Sequence, residues 1–538
     1  MKREKRVVAL FTIMMCGLMA GLLGVAGASF HGEELAQAAA RQSSYELTVA
    51  RSRGDFYDCT GQKLTSRSQK TLAAVAPTIE AAASMNQIAH GEYRETVGAA
   101  LSNGTPFLAT VPLGTESSDG IDVFTIPQRY DEEQLASNLI GYVDGSGAGA
   151  AGLERAFDSV LSQEGSLTVT YSVDAVNRVM DASSREISDT RQEAELGVVL
   201  TLDRRIQQVA EDACRDVLEK GAVVVMDVQT GEIRALVSLP SLHPNNLAAD
   251  MENEDSPLMN KAFSAYSAGS IFKLVSASAA LESGLSPEYE YTCTGSIQVQ
   301  GQGFKCFNGI AHGTVTMEDA IAQSCNGYFV SLMQQVPQAD FLAMAKNLGF
   351  GVSCMFADGL VSDAGVLPSE KSLASLKALA NFSFGQGELT VTPVQVAAMT
   401  AAIANGGTYR EPSLVTGIQN QKTGVYEWRQ PSGSQKRAMS EETAALLRSF
   451  MEKAAEEGTA ASGQPETVTV GAKTGTAQTG QYSGDTELVH LWYTGYFPAE
   501  SPQYAITVLR ADSDANTKEC AQVFRTIAQE LESQGFLG

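Results

Sequence analysis

Tyr266-Ser267-Ala268-Gly269-Ser270-Ile271-Phe272-Lys273 places a hydroxyl group three residues before an amine. Residues 274–282 are rich in helix formers, and Gly284 predicts where that helix stops. We therefore expect Ser270 near a helix start and Lys273 one turn later on the same face. Unpaired N–H groups at a helix N-terminus favour an oxyanion, and a desolvated lysine can supply the base that a serine nucleophile needs.

On its own, this Ser-x-x-Lys pattern is weak, because a chain of this length and ordinary composition holds about one or two matches by chance. The alternative is a serine and a lysine that face solvent on an ordinary helix. The sequence contains this one match. The catalytic interpretation therefore depends on partner motifs elsewhere in the chain.

Two further motifs supply candidate partners in the same half of the chain. Ser324-Cys325-Asn326 follows a helical run at residues 317–323 and offers a second hydroxyl group and an amide, which can donate and accept hydrogen bonds. Lys473-Thr474-Gly475-Thr476 continues the strand-like residues 468–471 with a cation, two hydroxyl groups and a glycine. We expect this second motif to bind an anion where a substrate lies close to the backbone.

A second Lys-Thr-Gly triplet, Lys422-Thr423-Gly424, competes with Lys473 for the anion-binding role. It lies between two strand-like segments, residues 414–418 and 425–428, and has Gln and Asn around it. That pattern predicts the turn of an exposed hairpin. We therefore assign the anion-binding role to Lys473.

The N-terminus carries four basic residues before residues 7–30, an apolar run without charge. This run exceeds the roughly 20 residues needed to span a bilayer, and the charge asymmetry predicts a cytoplasmic N-terminus. The alternative is a cleaved signal peptide, because Ala26-Gly27-Ala28 offers small residues for cleavage. Both interpretations export everything after residue 30, and we favour the retained anchor because the run is longer than a signal peptide's apolar region.

The composition excludes one class of function and suggests two exported domains. The 538 residues include 62 acidic and 38 basic ones, which gives a net charge of −24 and argues against nucleic-acid binding. The polar stretch 174–197 predicts a boundary, so we divide the chain into residues 1–30, 31–195 and 196–538. The glycine-rich residues 142–152 lack the context of a nucleotide-binding loop and are interpreted as a flexible connector.

Strand signals lie at both ends of the third segment. Residues 221–227 and 232–237 flank a turn signal, and residues 488–497 and 504–510 form a second hairpin pattern. Helical patterns lie between these hairpins and at the C-terminus. This order predicts one antiparallel sheet, built from both ends of the domain and flanked by helices.

The three motifs, in this order, resemble those of the penicillin-interacting serine transferases, and in particular of class B (monofunctional) penicillin-binding proteins. The resemblance covers nearly all of the exported chain and includes Arg53-Gly54, Gly152-Leu153-Glu154, Thr201-Leu202-Asp203, Thr230-Gly231-Glu232-Ile233, His312-Gly313-Thr314, Gly385-Gln386-Gly387, Thr392-Pro393-Val394-Gln395 and Asn405-Gly406-Gly407. It departs at Ala268, where proline is usual, and at Cys59-Thr60, where Arg-Asn is usual. It implies an α/β (α+β type) fold with an N-terminal elongated, mainly β pedestal domain and one transmembrane helix.

The resemblance also implies a membrane-anchored peptidoglycan D,D-transpeptidase that is inhibited by β-lactams. Ser270 would attack the D-Ala-D-Ala carbonyl, Lys273 would take its proton, and Ser324 would help to pass that proton to the leaving D-Ala. In substrate binding, Asn326 would hold the substrate amide, and Lys473, Thr474, Gly475 and Thr476 would bind the terminal carboxylate. The N–H groups of Ser270 and Thr476 would form the oxyanion hole. An amine from a second stem peptide would resolve the acyl-enzyme.

Other functions use the same groups. A D,D-carboxypeptidase or a β-lactamase lets water resolve the acyl-enzyme, although the chain is long for a β-lactamase. A non-catalytic β-lactam sensor or scaffold is a further alternative, but no motif residue is lost. The implied partners are stem peptides and lipid-linked precursors, β-lactams, the bacterial cell membrane and a separate glycosyltransferase. The acidic composition argues against nucleic acid as a partner.

The cysteines leave one question open. Cys293 and Cys306 bracket a glycine-rich segment in an exported domain, where a disulfide is permitted. The alternative is two reduced thiols in a loop, because connectivity is not readable from sequence. The resemblance implies no metal and no cofactor, and the five histidines (31, 90, 243, 312 and 490) show no ligand spacing.

Overall fold

The fold is given by a computed structural model that describes residues 2–30, 43–88, 92–181, 184–514 and 517–537. His31 and His90 lie outside the described residues. The chain forms two compact units that alternate along the sequence. The first contains Met1–Ser52, Ser68–Gln128 and Gln163–Glu193, and the second contains Arg53–Arg67, Arg129–Ser162 and Ala194–Gly538. This grouping differs from the contiguous segments 31–195 and 196–538 that the sequence predicts.

The N-terminal helix, Lys2–Phe30, contains a segment that is long and apolar enough to cross a membrane. That segment is Lys5–Gly27, 23 residues long, and it is the one such candidate among the described residues. The helix forms because residues 7–30 are apolar and contain no proline. The structure therefore agrees with the expected single membrane-spanning helix in length and composition.

The first unit is mainly β, with two three-stranded sheets. One sheet joins Ser44–Arg53, Ser162–Ser172 and Glu186–Asp189 in that order, and the other has Ser68–Val75 between Phe107–Val111 and Ile121–Gln128. Helices Ile79–Ile88 and Glu92–Asn103 follow the strand Ser68–Val75 in sequence. One apolar core joins residues of both sheets, such as Tyr171 of the first and Leu72 of the second. A second core joins the second sheet, at Val75, to the two helices, at Met85 and Val97.

The second unit is built on a five-stranded antiparallel sheet. Its spatial order is Ile233–Leu239, Gly221–Asp227, Tyr504–Ser513, Thr486–Phe497 and Gly471–Ser483. The two predicted hairpins therefore meet in one sheet, as expected from their positions at both ends of the domain. The predicted α/β architecture is confirmed. Gly471–Ser483, which carries the Lys-Thr-Gly motif, is an edge strand.

Helices cover both faces of this sheet. On one face, Pro393–Ala404 packs against the two strands Gly221–Asp227 and Tyr504–Ser513, and all twelve of its residues are buried. On the other face, Arg204–Cys214 and Lys518–Ser533 pack together over the sheet through apolar residues such as Ile206 and Phe524. The sheet is therefore buried on both sides, which fixes the position of its edge strand.

The remaining elements of the second unit surround this core. A second sheet joins Phe56–Tyr57, Leu196–Leu200, Val415–Asn420 and Tyr426–Arg429. Short two-stranded pairs join Tyr266–Ser267 with Thr390–Val391, Tyr291–Cys293 with Gly313–Val315, Ser296–Val299 with Gln302–Lys305, Met355–Ala357 with Leu360–Val361, and Thr408–Arg410 with Gln435–Arg437. The other α-helices are Ser137–Ile140, Gly152–Ala156, Asp158–Leu161, Leu247–Glu252, Lys273–Glu282, Met317–Ala322, Asn326–Leu332, Gln338–Asn347, Glu370–Leu373, Leu376–Ser383 and Glu441–Glu456.

The glycine-rich segment at residues 142–152 is a packed turn in the structure, so its interpretation as a flexible connector is wrong. A Cβ atom on Gly149 would lie 2.0 Å from the carbonyl oxygen of Glu154. Gly152 has a φ of 58°, and a Cβ atom there would lie 2.6 Å from the carbonyl oxygen of Leu139. Glycine is therefore required by the close approach of two backbone segments. Packed turns and flexible linkers are both rich in glycine, so the glycine content of the sequence does not distinguish them.

This turn positions Glu154, whose side chain is fully buried. One carboxylate oxygen accepts hydrogen bonds from Arg53 at 2.7 and 2.9 Å. The other accepts from Arg129 Nε at 2.7 Å and from the Tyr130 hydroxyl at 2.9 Å. Arg53 and Glu154, which both belong to the segments that resemble class B penicillin-binding proteins, thus form one ion pair. The network ties two outlying chain segments into the second unit.

Glu154→Ala is expected to destabilise the second unit strongly. It would remove a buried carboxylate that accepts hydrogen bonds from the largely buried guanidinium groups of Arg53 and Arg129, which then keep only their ion pairs with Asp158 and Asp55. Breaking a buried pair typically costs about 3–5 kcal/mol of the free energy of unfolding, and the remaining partners reduce that cost. Thermal unfolding of the full chain in detergent should show a large downward shift. Glu133→Ala, which removes an exposed partner of Arg215, is the control and should leave the midpoint unchanged. Equal midpoints for the two variants would contradict a structural role for the network.

Candidate active site

Ser270 lies in a single 3₁₀ turn, Gly269–Phe272, that leads directly into the helix Lys273–Glu282. Gly269 has a φ of 60°, and its N–H donates to the carbonyl of Gly385 at 2.8 Å. A Cβ atom on Gly269 would lie 2.4 Å from the carbonyl oxygen of Thr476. The turn therefore needs glycine at this position, and it holds Ser270 against the edge strand of the five-stranded sheet.

Alanine at position 268, where the similar family usually has proline, keeps a backbone conformation that proline also allows. Ala268 has a φ of −76°, which a proline ring would also adopt. The alanine is fully buried. The residue that precedes the Ser270 turn thus has the φ angle of a proline, although it is an alanine.

Lys273 reaches every polar group expected near the nucleophile. Its Nζ atom lies 3.0 Å from Ser270 Oγ and 3.0 Å from Ser324 Oγ. It donates to the carbonyl oxygen of Ser324 and to Asn326 Oδ1, both at 2.6 Å. The amine is fully buried. The predicted spacing of three residues therefore places amine and hydroxyl in contact.

Ser324 has left-handed backbone geometry, with a φ of 56°. That conformation is uncommon for a residue with a side chain and is found at sites where the surroundings enforce it. Ser324 lies between the helices Met317–Ala322 and Asn326–Leu332. Its Oγ atom lies 3.0 Å from Lys273 Nζ and 3.1 Å from Lys473 Nζ. The strained turn therefore sets a hydroxyl group between two amines.

Asn326 is the first residue of the helix Asn326–Leu332, and its side-chain amide makes two hydrogen bonds. Its Oδ1 atom accepts from Lys273, and its Nδ2 group donates to the carbonyl oxygen of Lys305 at 2.8 Å. These two contacts assign the orientation of the amide, because only the oxygen can accept from an ammonium group. The side chain is therefore held between the catalytic helix and the loop at residue 305.

The edge strand Gly471–Ser483 brings the Lys-Thr-Gly motif to the same place. Lys473 is fully buried, and its Nζ atom donates to Ser324 Oγ at 3.1 Å and to the carbonyl oxygen of Thr474 at 2.9 Å. A Cβ atom on Gly475 would lie 2.9 Å from the Ile271 side chain. The motif thus runs alongside the Ser270 turn.

The Thr474 hydroxyl group donates to Thr459 Oγ1 at 2.9 Å. Sequence reasoning missed Thr459, which follows the helix Glu441–Glu456 and belongs to no motif. A lone threonine in a loop gives no signal of its position. Only the packing of that loop against the edge strand reveals it.

Burial governs the electrostatics of the two lysines. It lowers the pKa of Lys273 to about 7, while the thiols of Cys325 and Cys306 oppose the shift. Burial also lowers the pKa of Lys473 well below its usual range, and the adjacent Lys273 charge lowers it further. Burial is therefore the largest cause of the lowered pKa of both lysines. Protonation of one of the two lysines therefore disfavours protonation of the other.

The competing triplet lies elsewhere. Lys422 sits in the turn between the strands Val415–Asn420 and Tyr426–Arg429, and its Nζ atom pairs with Glu195 at 2.9 Å. Both side chains are more than half exposed, at 52% and 59%. The predicted exposed hairpin is confirmed, and the structure brings Lys473, rather than Lys422, to Ser270, Lys273 and Ser324.

The two cysteines of the candidate disulfide are neighbours. Their sulfur atoms lie 3.6 Å apart, and none of the eight cysteines, all of which the structure describes, is in a disulfide. Cys325 Sγ accepts a hydrogen bond from the N–H of Tyr328 at 3.5 Å and thereby caps the helix Asn326–Leu332. This contact gives Cys325 a structural role beside Asn326.

A serine in contact with a buried, deprotonatable amine is an acyl-transfer site, because the amine can activate the hydroxyl group as a nucleophile. Residues 221–529 match the family described as the penicillin binding protein transpeptidase domain. The matched region covers more than half of the chain and includes Ser270, Ser324 and Lys473. The chain belongs to the penicillin-binding protein transpeptidase family.

Individual relatives agree with this family. The chain is similar to the peptidoglycan D,D-transpeptidase PbpA of Mycolicibacterium smegmatis, with 30% identity over 417 residues, 74% of this chain and 81% of the relative. It is also similar to stage V sporulation protein D of Bacillus subtilis, with 27% identity over 510 residues, 89% of this chain and 77% of the relative. The penicillin G acyl-enzyme complex of penicillin-binding protein A from Mycobacterium tuberculosis is 25% identical, with a TM-score of 0.65 over 89% of this chain and 99% of that chain.

Proposed function

We propose that this protein is a membrane-anchored peptidoglycan D,D-transpeptidase that cross-links stem peptides through an acyl-enzyme on Ser270. The observation that carries the proposal is the 3.0 Å contact between Ser270 Oγ and the fully buried amine of Lys273. The similar PbpA is named a peptidoglycan D,D-transpeptidase. The roles below are assigned to the residues that surround this contact.

In the first step, neutral Lys273 takes the proton of Ser270 as its Oγ atom attacks the carbonyl of the penultimate D-Ala. Because burial lowers the pKa of Lys273 to about 7, a large fraction of the amine is neutral at physiological pH. The N–H groups of Ser270 and Thr476 are the proposed oxyanion hole. The close approach of Gly269 to Thr476 supports that pairing. Removing one such donor typically costs about 3–4 kcal/mol of barrier.

In the second step, Ser324 relays the proton from Lys273 to the departing D-Ala. Its hydroxyl group lies within hydrogen-bonding distance of Lys273 Nζ, at 3.0 Å, and can rotate to donate or accept. The acyl-enzyme then keeps the rest of the donor stem peptide on Ser270. An acceptor amine attacks that ester and the new amide forms as the bond to Ser270 Oγ breaks. Lys273 takes the amine's proton and returns it to Ser270 Oγ, 3.0 Å away, which restores the free enzyme.

The edge strand supplies substrate binding. An edge strand presents unpaired backbone groups, so an extended peptide can add to Gly471–Ser483 as a further strand. The terminal carboxylate then lies at Lys473, Thr474, Gly475 and Thr476, and Asn326 holds the substrate amide. A bound carboxylate favours the charged form of Lys473. Because like charges repel, that charge in turn favours the neutral form of Lys273.

Membrane attachment and orientation are part of the same proposal. The N-terminal helix is long enough to span a bilayer, and its four preceding basic residues favour a cytoplasmic N-terminus. The second unit then faces the peptidoglycan outside the cell membrane. The N-terminal segment acts as a retained anchor. We further propose that a separate glycosyltransferase supplies the glycan strands.

Cross-linking of a defined substrate tests the function. The full chain in detergent is incubated with lipid-linked precursor and a separate purified glycosyltransferase, and the digested product is analysed for cross-linked muropeptides. We expect cross-links that disappear with penicillin G and with Ser270→Ala. Release of D-Ala without any cross-link would assign the chain to the carboxypeptidases instead. Neither product from a folded chain would favour a non-catalytic scaffold.

The acylation rate should depend on pH through Lys273. The base form of a lysine dominates above its pKa, so the second-order rate constant for a β-lactam should rise to half of its limiting value near pH 7. It should fall again at the pH where Lys473 loses the charge that binds the carboxylate, because burial lowers the pKa of that lysine as well. Below pH 6 it should fall about tenfold for each pH unit. Stopped-flow measurements between pH 5 and pH 9 provide the profile. A rate that still rises tenfold per unit at pH 9 would indicate an amine with an ordinary pKa and would contradict this role.

A further inference from the structure

Three thiols and one imidazole meet directly behind Ser324 and Asn326. Cys293 Sγ, Cys306 Sγ, Cys325 Sγ and a ring nitrogen of His312 all lie within 4.8 Å of one another. The three cysteines are buried and His312 is half-buried. We propose that these four residues bind one Zn²⁺ ion, and that this ion positions the Ser-x-Asn motif of the active site. The zinc site goes beyond the proposed transpeptidase function and is tested separately from it.

Four different elements deliver the four ligands. Cys293 ends the strand Tyr291–Cys293 and pairs with Gly313, so His312 arrives beside it from the opposite strand. Cys306 follows the strand Gln302–Lys305, and its N–H donates to the carbonyl of Gly295 at 3.0 Å. Cys325 comes from the start of the helix Asn326–Leu332. The convergence therefore depends on the tertiary fold.

The distances between ligand atoms fit a tetrahedral metal site. With metal–ligand bonds of about 2.0–2.3 Å, tetrahedral angles separate two sulfurs by about 3.8 Å and a sulfur from a nitrogen by about 3.5 Å. Cys293 Sγ lies 3.6 Å from Cys306 Sγ and 3.4 Å from His312 Nδ1. Cys306 Sγ lies 3.9 Å from Cys325 Sγ. A disulfide needs about 2.05 Å, so these pairs are spaced for a shared ion.

The donor set selects the metal class. Three thiolates and one imidazole form a closed, four-ligand set of the kind that structural zinc sites use. Soft thiolate ligands disfavour Mg²⁺ and Ca²⁺, which prefer oxygen. Four protein ligands leave no open position for a catalytic water. We therefore infer a structural rather than a hydrolytic ion.

The site touches the catalytic machinery on two sides. Cys325 lies between Ser324 and Asn326 in sequence, and Cys306 follows Lys305, whose carbonyl accepts from Asn326 Nδ2. A bound ion would thus hold in place both residues of that hydrogen bond, Asn326 and Lys305. It would also hold the left-handed turn at Ser324. In this role Cys306 and Cys325 are positioning residues, since they act on substrate only through their neighbours.

Histidine spacing alone does not reveal this site. The ligands Cys293 and Cys306 are 13 positions apart, and His312 and Cys325 follow at wide intervals. Zinc motifs that are recognised from sequence have closely spaced cysteine pairs. The proposed ion departs from the sequence-based expectation of no metal, although it does not enter the acyl-transfer chemistry. The candidate Cys293–Cys306 disulfide, which the sequence left open, is the direct competitor of the zinc site.

The first test measures metal in the parent protein. The full chain is purified in detergent without an affinity tag that binds metal, and its zinc content is determined by plasma mass spectrometry. We expect about one zinc per chain. Exchange for Co²⁺ should give the intense visible absorption of a tetrahedral ion and thiolate charge-transfer bands in the near ultraviolet. A zinc-free, folded chain with a Cys293–Cys306 or Cys306–Cys325 disulfide in a non-reducing peptide map would overturn the proposal, as would three reduced thiols without zinc.

The second test uses variants with a matched control. Cys306→Ala and His312→Ala should each lose the zinc and the Co²⁺ bands, whereas Cys354→Ala, a buried cysteine of the same unit outside the cluster, should keep both. Retained zinc in both ligand variants would place the ion elsewhere. The Co²⁺ spectrum of the parent keeps the test decisive even where a variant fails to fold.

The positioning role has a reversible readout. Removing the ion from the parent with a chelator should lower the second-order rate of β-lactam acylation, by about 10²-fold if Ser324 moves by 1 Å. Adding Zn²⁺ back should restore the rate, whereas Mg²⁺ should not. An acylation rate that is unchanged in the metal-free chain would overturn the positioning role. The metal measurements do not depend on transpeptidase activity, so the two proposals fail independently.

Discussion

Ser270→Ala is expected to abolish covalent labelling by β-lactams while leaving the fold intact. The hydroxyl group at this position is the proposed nucleophile, and alanine removes the atom that would carry the acyl group. Alanine also fits the 3₁₀ turn Gly269–Phe272, where Ser270 needs no special backbone geometry. Intact mass spectrometry should show one drug adduct on the parent and none on the variant. Peptide mapping should place the parent's adduct on Ser270.

Ser278→Ala is the matched control for this experiment. Ser278 lies in the helix Lys273–Glu282, which follows the Ser270 turn, and its hydroxyl group donates to the carbonyl of Leu274 at 2.7 Å, a local bond within the helix. Alanine there should leave labelling unchanged. Any adduct that survives Ser270→Ala would assign the nucleophile to another residue, and the mechanism built on the Lys273 contact would fail with it.

Lys473→Ala should slow β-lactam acylation by orders of magnitude. The variant removes the cation that would bind the substrate carboxylate, and losing one charged hydrogen bond costs about 1.5–3 kcal/mol, roughly ten- to a hundredfold. It also removes the amine that contacts Ser324 Oγ at 3.1 Å. Second-order acylation rates of the variant and the parent give the comparison.

Lys422→Ala carries the same substitution in the other Lys-Thr-Gly triplet. Its ion pair with Glu195 is exposed, and exposed pairs contribute about 0–1 kcal/mol. We expect an unchanged acylation rate. If Lys422→Ala were the impaired variant, the anion-binding roles of Thr474 and Thr476 would be assigned to the wrong strand.

Periodicity and motif order predicted the sheet and the placement of the catalytic groups, because both depend on short-range patterns. Helix geometry alone brings Lys273 within reach of Ser270, since the two residues are one turn apart. The two terminal hairpins are each local, and only their pairing through the strands Gly221–Asp227 and Tyr504–Ser513 is long-range. The positions of the hairpins at both ends of the domain predicted one shared sheet, but not which of their strands pair.

Contacts between distant loops could not be predicted in the same way. Thr459 and the carbonyl of Lys305 reach the site through packing, and neither leaves a pattern in the sequence. The cluster of His312 with three thiols could not be predicted either, because the three cysteines come from separate elements. The prediction of a flexible connector at residues 142–152 was wrong for another reason. Glycine occurs both in flexible segments and where two backbones pack closely, and composition does not distinguish the two.

The strand order of the five-stranded sheet has a consequence for how the chain folds. Its middle strand, Tyr504–Ser513, is the last of the five in sequence, and it joins Gly221–Asp227 on one side to Thr486–Phe497 on the other. The early hairpin cannot dock into the sheet before residue 504 has emerged. This sheet therefore cannot be completed until nearly the whole chain has been synthesised, and its closure pairs segments that are distant in sequence. Loss of the last thirty-five or so residues would remove the centre of the sheet rather than trim its edge.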